Sequence, residues 1–98
     1  MYFIMAFEVH NKDHDKKFNE QEFRQEVIKF ITGKGMRARQ LIRDFFVIPC
    51  KETSFEQKRD VILDLVRNAV EKKHMEIFIT PPIASSKIYG YYAGEVKD

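Results

Sequence analysis

The side chains best suited to chemistry stand where an apolar stretch near the start of the chain gives way to polar residues. Glu8 interrupts the run Tyr2–Val9, and His10 follows two residues later. Mg²⁺ in proteins takes one or two carboxylates and keeps several waters, and the bound ion can activate a nucleophile against phosphate. We therefore take Glu8 as a candidate metal ligand and His10 as a candidate general acid or base. A strand-end acid paired with lysine or arginine is the alternative for Glu8.

A second group of ligand-type side chains lies in the polar stretch 10–17 and comprises His10, Asp13, His14 and Asp15. Histidines four residues apart can share a metal on a helix, but this composition indicates a loop. No second pair of ligands with zinc-type spacing occurs in the sequence. We interpret the group as a solvated loop.

Three arginines, Arg37, Arg39 and Arg43, alternate with Ala38, Gln40 and Ile42. This alternation predicts a strand over 37–43 with the guanidinium groups on one face, where they could bind successive phosphates. Two alternatives remain: charges on an edge strand prevent sheet-to-sheet aggregation, or they form salt bridges in a dimer.

The remaining candidates favour structural roles. Tyr89, Tyr91 and Tyr92 could stack on bases, but we favour the alternative, in which the aromatic segment 88–93 extends the sheet of a partner chain. Cys50 follows a strand without a nearby histidine in the sequence, which indicates an inert, partly buried thiol. No phosphate-binding glycine loop or nucleophile elbow occurs.

Length and composition indicate one domain, 1–98, with an ample core, since 44% of its 98 residues are apolar. The net charge of +2 provides no global attraction to nucleic acid or to a membrane, so any electrostatic function requires local clustering. A single cysteine, together with the absence of a signal-peptide pattern or a long apolar run, predicts a soluble cytoplasmic protein with no membrane partner.

The apolar pattern predicts an α+β fold with the order β-α-β-β-α-β and an extra C-terminal strand over 88–93. The segments Tyr2–Val9 and Phe45–Ile48 are apolar on both faces, which predicts interior strands. The arginine strand is one-sided and therefore an edge, and Met75–Thr80 is the fourth strand. In a ferredoxin-like sandwich, strands one and three are interior. Because both helices cover one face, we expect a second copy of the chain to cover the other, giving a back-to-back homodimer.

Local signals place the helix ends. Asn19 is the predicted N-cap of the first helix, with Glu22 as its capping-box partner and Phe18 and Phe23 as a hydrophobic staple. A left-handed Gly33 or Gly35 ends that helix. Thr53 and Ser54 are alternative N-caps of the second helix. The predicted buried stripes are Phe23, Val27, Phe30 and Ile31 in the first helix, and Ile62, Leu65, Val66, Ala69 and Val70 in the second.

The first strand with an acid at its end, the helix closing on Gly35, and the Arg/Gln-rich strand leading into an aromatic one resemble CRISPR-associated protein 2. They also resemble the related virulence-associated protein D toxins. The resemblance implies a back-to-back dimer of ferredoxin-like folds and, in some members, Mg²⁺-dependent cleavage of RNA or DNA. The family's strand-one acid, usually Asp, corresponds to Glu8, which two copies would bring together across the two-fold axis. Asp44-Phe45-Phe46 stands where the family has Ser-Val-Phe, so Asp44 is a second acid that assists a metal or forms a turn.

These observations give two hypotheses. The first is a dimeric nucleic-acid-binding protein, with a candidate endonuclease activity that uses Glu8, Asp44, His10 and Mg²⁺ and holds phosphate with Arg37, Arg39 and Arg43. The second is a non-catalytic homodimeric module that binds a protein partner.

Overall fold

The computed structural model describes residues 1–84 and has an α+β fold with two helices and a four-stranded antiparallel sheet. Its elements are β1 (Tyr2–Val9), α1 (Glu20–Thr32), β2 (Arg39–Ile42), β3 (Phe45–Pro49), a 3₁₀ turn (Glu52–Ser54), α2 (Phe55–Glu71) and β4 (Met75–Ile79). The predicted C-terminal strand over 88–93, with its three tyrosines, lies outside the described residues.

The strand order in the sheet is β2-β3-β1-β4, so the two strands predicted to be interior are interior. β1 pairs with β3 from Tyr2↔Pro49 to Ala6↔Phe45, and with β4 from Met5↔Ile79 to Val9↔Met75. This order is compatible with a ferredoxin-like arrangement. The arginine-containing strand is at one edge and β4 is at the other.

The main core lies between the sheet and the two helices. Phe3, Met5 and Phe7 of β1 are buried there together with Phe46 and Ile48 of β3. The helices contribute Val27, Ile31, Ile62, Val66 and Ala69. Burying a large apolar side chain contributes about 1.5–3 kcal/mol, so this layer supplies most of the stabilisation.

The predicted start of α1 is confirmed. The Asn19 side chain accepts a hydrogen bond from the backbone N–H of Glu22 at 3.0 Å, and the rings of Phe18 and Phe23 are 5.5 Å apart. Gly33 is the C-cap of α1, as predicted, but the predicted left-handed conformation is wrong: Gly33 has φ −67° and extended backbone, and Gly35 does not have a positive φ either. The left-handed residue of this connection is Arg37, at φ 58°.

Other helix details also differ from the predictions. Phe30 is exposed, and Ile28 packs against the core in its place. Leu65 and Val70 are likewise exposed on α2. Ser54 precedes α2 without capping it, because its hydroxyl bonds the backbone of Lys51, and the 3₁₀ turn takes up the residues that were predicted to cap.

The sheet face away from the helices, here called the open face, has a smaller apolar cluster. Tyr2 and Val47 are buried there against Ile4, Leu41 and Ile83. Ile83 exchanges two backbone hydrogen bonds with Tyr2, of 2.9 and 2.6 Å. Farther along the face, Ile42, Phe45 and Phe78 are 60%, 47% and 62% exposed. The expected apolar second face is therefore present, but the chain itself covers one end of it.

Neither helix within residues 1–84 is long and apolar enough to cross a lipid bilayer.

Candidate functional site

Two grooves of opposite character lie at the two ends of the sheet. The first, the carboxylate groove, has a volume of about 960 Å³ and lies where β1 ends and β4 begins. Its charged lining residues are Glu8, Arg24, Arg43, Asp44 and Glu76. It brings together two of the predicted catalytic residues, Glu8 and Asp44, and one predicted phosphate ligand, Arg43.

Glu8 is exposed and lies directly opposite Glu76 in the β1–β4 ladder. Like charges at such a pair repel each other unless a cation neutralises them. Glu76 has one, because Lys12 Nζ lies 3.4 Å from its Oε1. Among the described residues the Glu8 carboxylate has no ion-pair partner, which leaves it available to a cation from solution.

Asp44 is not available in the same way. It forms an ion pair with Arg24 of α1, and its Oδ2 lies 3.9 Å from Nε of Arg43. The pair with Arg24 joins the β2–β3 turn to the helix. Of the two roles left open for Asp44, metal ligand or turn residue, this geometry favours the second.

His10 lies beside Glu76, with Nε2 3.7 Å from Oε1 of that carboxylate. Both ring nitrogens are shielded from solvent, and neither forms a hydrogen bond within the described part of the chain. Its backbone N–H donates to the carbonyl of His74 at 2.7 Å. His74, which lies between α2 and β4, is buried and packs on the ring of Phe18 at 4.0 Å between centroids.

The polar loop after β1 forms turns, as expected. In this loop the Asn11 side chain donates from Nδ2 to the backbone carbonyl of Asp15 at 2.8 Å and accepts at Oδ1 from the backbone N–H of Asp15 at 3.0 Å. Across residues 1–84, no group of three or more His, Cys, Asp or Glu side chains is arranged to hold a metal ion.

The three arginines do not share a strand face, contrary to prediction. β2 begins only at Arg39, and its register with β3 shifts between Gln40 and Ile42, so Leu41 is an extra residue. Such a bulge breaks the two-residue alternation on which the prediction depended. Arg37 and Arg43 lie in turns with φ of 58° and 38°. Arg43 is consequently in the carboxylate groove, whereas Arg37 and Arg39 are at the other end of the sheet.

The second groove, here called the cationic groove, has a volume of about 860 Å³. Its basic lining residues are Lys34, Arg37, Arg39, Lys51 and Lys58. No carboxylate of the described residues lines it. Lys58 donates a 2.5 Å hydrogen bond to the carbonyl of Pro49, so its ammonium group is held at the groove without losing its charge.

Local structure explains why these cations converge. α1 ends and β2 begins at this end of the sheet, and the connection folds back tightly: Arg37 N–H donates to Gly33 O and Ala38 N–H to Ile31 O, each at 2.7 Å. β3 ends and α2 begins at the same end. Lys34 and Arg37 of the first connection therefore lie near Lys51 of the second connection and Lys58 of α2.

Cys50 lies in the wall of the cationic groove and is 8% exposed. Burial raises the pKa of its thiol, and the positive charges of Lys58 and the amino terminus partly oppose that rise. The folded state therefore favours the protonated thiol, and a protonated thiol is a poor nucleophile. The inert role predicted for Cys50 agrees with this environment.

The raised pKa predicts a pH effect on stability. Above pH 9.0, the thiol's ordinary pKa, the unfolded chain loses the Cys50 proton before the folded chain does, so stability falls as pH rises. We expect the free energy of unfolding of the wild type, relative to Cys50→Ala, to decline in urea titrations between pH 8 and pH 10. Iodoacetamide should also modify the native thiol on the order of tenfold more slowly than the unfolded one at pH 8. Equal rates, or a difference between the two proteins that is constant with pH, would contradict this assignment.

Sequence reasoning missed Lys34, Lys51 and Lys58 as partners of Arg37 and Arg39. Lys34 lies in the α1–β2 connection, Lys51 in the β3–α2 connection and Lys58 in the first turn of α2, and no spacing rule joins them. A usable signal was that basic residues follow both α1 and β3, whose ends a β-α-β-β-α-β order brings to one end of the sheet.

Comparison with protein-family models, curated proteins and solved structures finds no match to this chain.

Proposed function

We propose that this protein binds nucleic acid and that the cationic groove contacts its phosphates. The observation behind this proposal is the convergence of five lysine and arginine side chains with no carboxylate among the described lining residues. Guanidinium groups bind phosphate oxygens through paired, charge-assisted hydrogen bonds. The groove therefore concentrates positive charge at one place in a chain whose net charge is only +2.

We further propose that the fold is a ferredoxin-like sandwich that forms a back-to-back homodimer through the open face. Ala6 pairs with Phe45 on one side and with Phe78 on the other, and Ile42 pairs with Phe45, so the four residues form one row across the sheet. The small Ala6 side chain lies between the exposed rings of Phe45 and Phe78. Such a surface is complementary to itself, because a ring of one copy can pack over the alanine of the other. Exposed apolar patches of this kind are typical of interfaces.

The experiment that tests nucleic-acid binding is a titration of fluorescent single- and double-stranded RNA and DNA at several salt concentrations. Neutralisation of about three phosphate charges gives a slope of about −2 for single strands in a plot of log K against log salt, because the bound cations replace counterions. Absence of binding at 20 mM salt would refute the proposal. Binding that does not respond to salt would refute the phosphate contacts.

A candidate endonuclease activity depends on Glu8. Its exposed carboxylate could serve as a Mg²⁺ ligand, since Mg²⁺ needs few protein carboxylates and retains several of its waters. Bound there, the ion would supply an activated water that could attack a phosphodiester brought to this end of the sheet. Asp44 does not suit the role of a metal ligand, because it is already ion-paired with Arg24. His10 lies beside Glu76, so it could act as a general acid or base only on a group bound next to Glu76.

Glu8→Gln removes the charge and keeps the shape, so we expect Mg²⁺-dependent cleavage to fall by about a hundredfold or more. Oligonucleotide affinity should stay unchanged, because Glu8 is outside the cationic groove. Glu76→Gln is the matched control from the opposite strand and should retain most of the cleavage. Both are measured as single-turnover rates on a labelled oligonucleotide, and equal rates for the wild type and Glu8→Gln would assign cleavage to another site.

The second candidate is a cytoplasmic, non-catalytic module that binds a protein. The exposed row of Ile42, Phe45 and Phe78 favours it, because such a surface suits a protein partner without any contribution from the cationic groove. Salt separates the two functions, since apolar binding does not weaken as salt rises.

A further inference from the structure

Within residues 1–84, the basic side chains of the cationic groove lie at one end of the sheet and do not continue along the open face. At the opposite end, three carboxylates line the other groove, and Arg24 and Arg43 are paired with Asp44. The two grooves share no lining residue. A polyanion that ran from one end to the other would leave the cations and meet the carboxylates.

Charge within the cationic groove is dense for its size. Five basic side chains line about 860 Å³, and the described lining includes no acid that would neutralise them. A phosphodiester in a strand carries one negative charge, whereas a terminal phosphate monoester carries about −1.5 to −2 at pH 7, because its second pKa is about 6. The same cations therefore attract a monoester about twice as strongly.

The walls of the groove add a second property. Ala38, Pro49 and Cys50 supply an apolar surface between the basic side chains. A site with an apolar wall and convergent charges suits a nucleoside whose phosphate reaches the cations.

We infer that the cationic groove receives a phosphate monoester on a nucleoside, as found at the phosphorylated end of a nucleic-acid strand. This inference rests on the proposed function and specifies its ligand: the end of a strand is bound, and its interior is not. The binding is non-covalent, and the strand extends away from the groove.

The test compares one single-stranded oligonucleotide in three forms, with a 5′-phosphate, a 3′-phosphate or hydroxyl ends, each carrying an internal fluorophore. At pH 7.5 and low salt we expect a phosphorylated form to bind at least about tenfold more tightly than the hydroxyl form. This preference should shrink at pH 5.5, where the monoester has taken up a proton and the diesters have not. Arg37→Gln/Lys51→Gln should abolish the preference, and Arg43→Gln, from the other groove, should keep it.

Cys50 provides an independent readout, because it is the only cysteine of the chain and lies in the groove wall. A phosphorylated oligonucleotide should slow its alkylation, and the hydroxyl form should do so less at equal concentration. A nucleoside monophosphate and inorganic phosphate are tested in the same assay.

The outcomes distinguish this inference from the proposed function. Equal affinity for all three forms, weakened equally by Arg37→Gln/Lys51→Gln, would overturn the strand-end assignment and leave nucleic-acid binding in place. If Arg37→Gln/Lys51→Gln leaves the affinity unchanged, the cationic groove is not the binding site, and both the strand-end assignment and the proposed phosphate contacts are overturned. Protection of Cys50 by the nucleoside monophosphate with no binding of any oligonucleotide would overturn the strand end as ligand and the proposed function together.

Discussion

Arg37→Gln/Arg39→Gln should weaken binding of a single-stranded oligonucleotide by about 150-fold at low salt. Each guanidinium group in a charge-assisted contact with phosphate contributes about 1.5 kcal/mol, the lower end of the range for hydrogen bonds to charged groups, and the two losses add when the contacts are separate. Glutamine keeps a polar side chain of medium length, so the fold should be preserved. Fluorescence anisotropy gives the affinities, and circular dichroism checks the fold.

Arg43→Gln is the matched control. Of the three arginines predicted to bind phosphate, Arg43 is the one that lines the carboxylate groove. Its loss should change affinity less than threefold, because Arg43 lies at the other end of the sheet. If Arg43→Gln were as damaging as the double variant, the three arginines would act as one set and the cationic groove would not be the binding site.

Phe78→Asp should convert the proposed homodimer into a monomer. Phe78 is 62% exposed in a single chain, so the substitution costs the monomer little, but in a dimer it buries an unpaired carboxylate at the centre of the interface. Such a charge costs about 3–5 kcal/mol, which raises the dimer dissociation constant by more than about a hundredfold. Sedimentation velocity across protein concentrations measures the change.

Leu63→Asp serves as the control for that prediction. Leu63 is also an exposed apolar residue, but it belongs to α2 and lies outside the open face. It should leave the association unchanged. A wild-type protein that sediments as a monomer at all concentrations would refute the homodimer, and dissociation by Leu63→Asp would move the interface to the helices.

Much of the fold followed from local patterns. β1 and β3 could be placed inside the sheet because both of their faces are apolar, and such strands need cover on both sides. The start of α1 could be placed because Asn19, Phe18 and Phe23 act within a few residues of one another. Where tertiary contacts decide, the sequence was less informative: the extra residue Leu41 shifts the register of β2, and the resulting redistribution of the arginines cannot be seen in the alternation itself.

The candidate site was predicted less completely for the same reason. Glu8 and Asp44 do line one groove, but nothing in the sequence indicates that Arg24, one helix away, pairs with Asp44. Equally, the cationic groove combines basic residues from the α1–β2 connection, the start of β2, the β3–α2 connection and the first turn of α2. Such sites depend on which element ends meet, and this becomes visible only once the sheet order is known.

The central claim is that nucleic acid binds in the cationic groove, and chemical footprinting tests it directly. Brief acetylation of surface lysines, with and without a saturating 5′-phosphorylated oligonucleotide, is followed by mass spectrometry. We expect strong protection of Lys34 and Lys51 and further protection of Lys58, while Lys12 beside Glu76 and Lys72 after α2 remain reactive. Protection of Lys12 or Lys72 with none at Lys34 and Lys51, or no protection anywhere under conditions of measured binding, would contradict the claim.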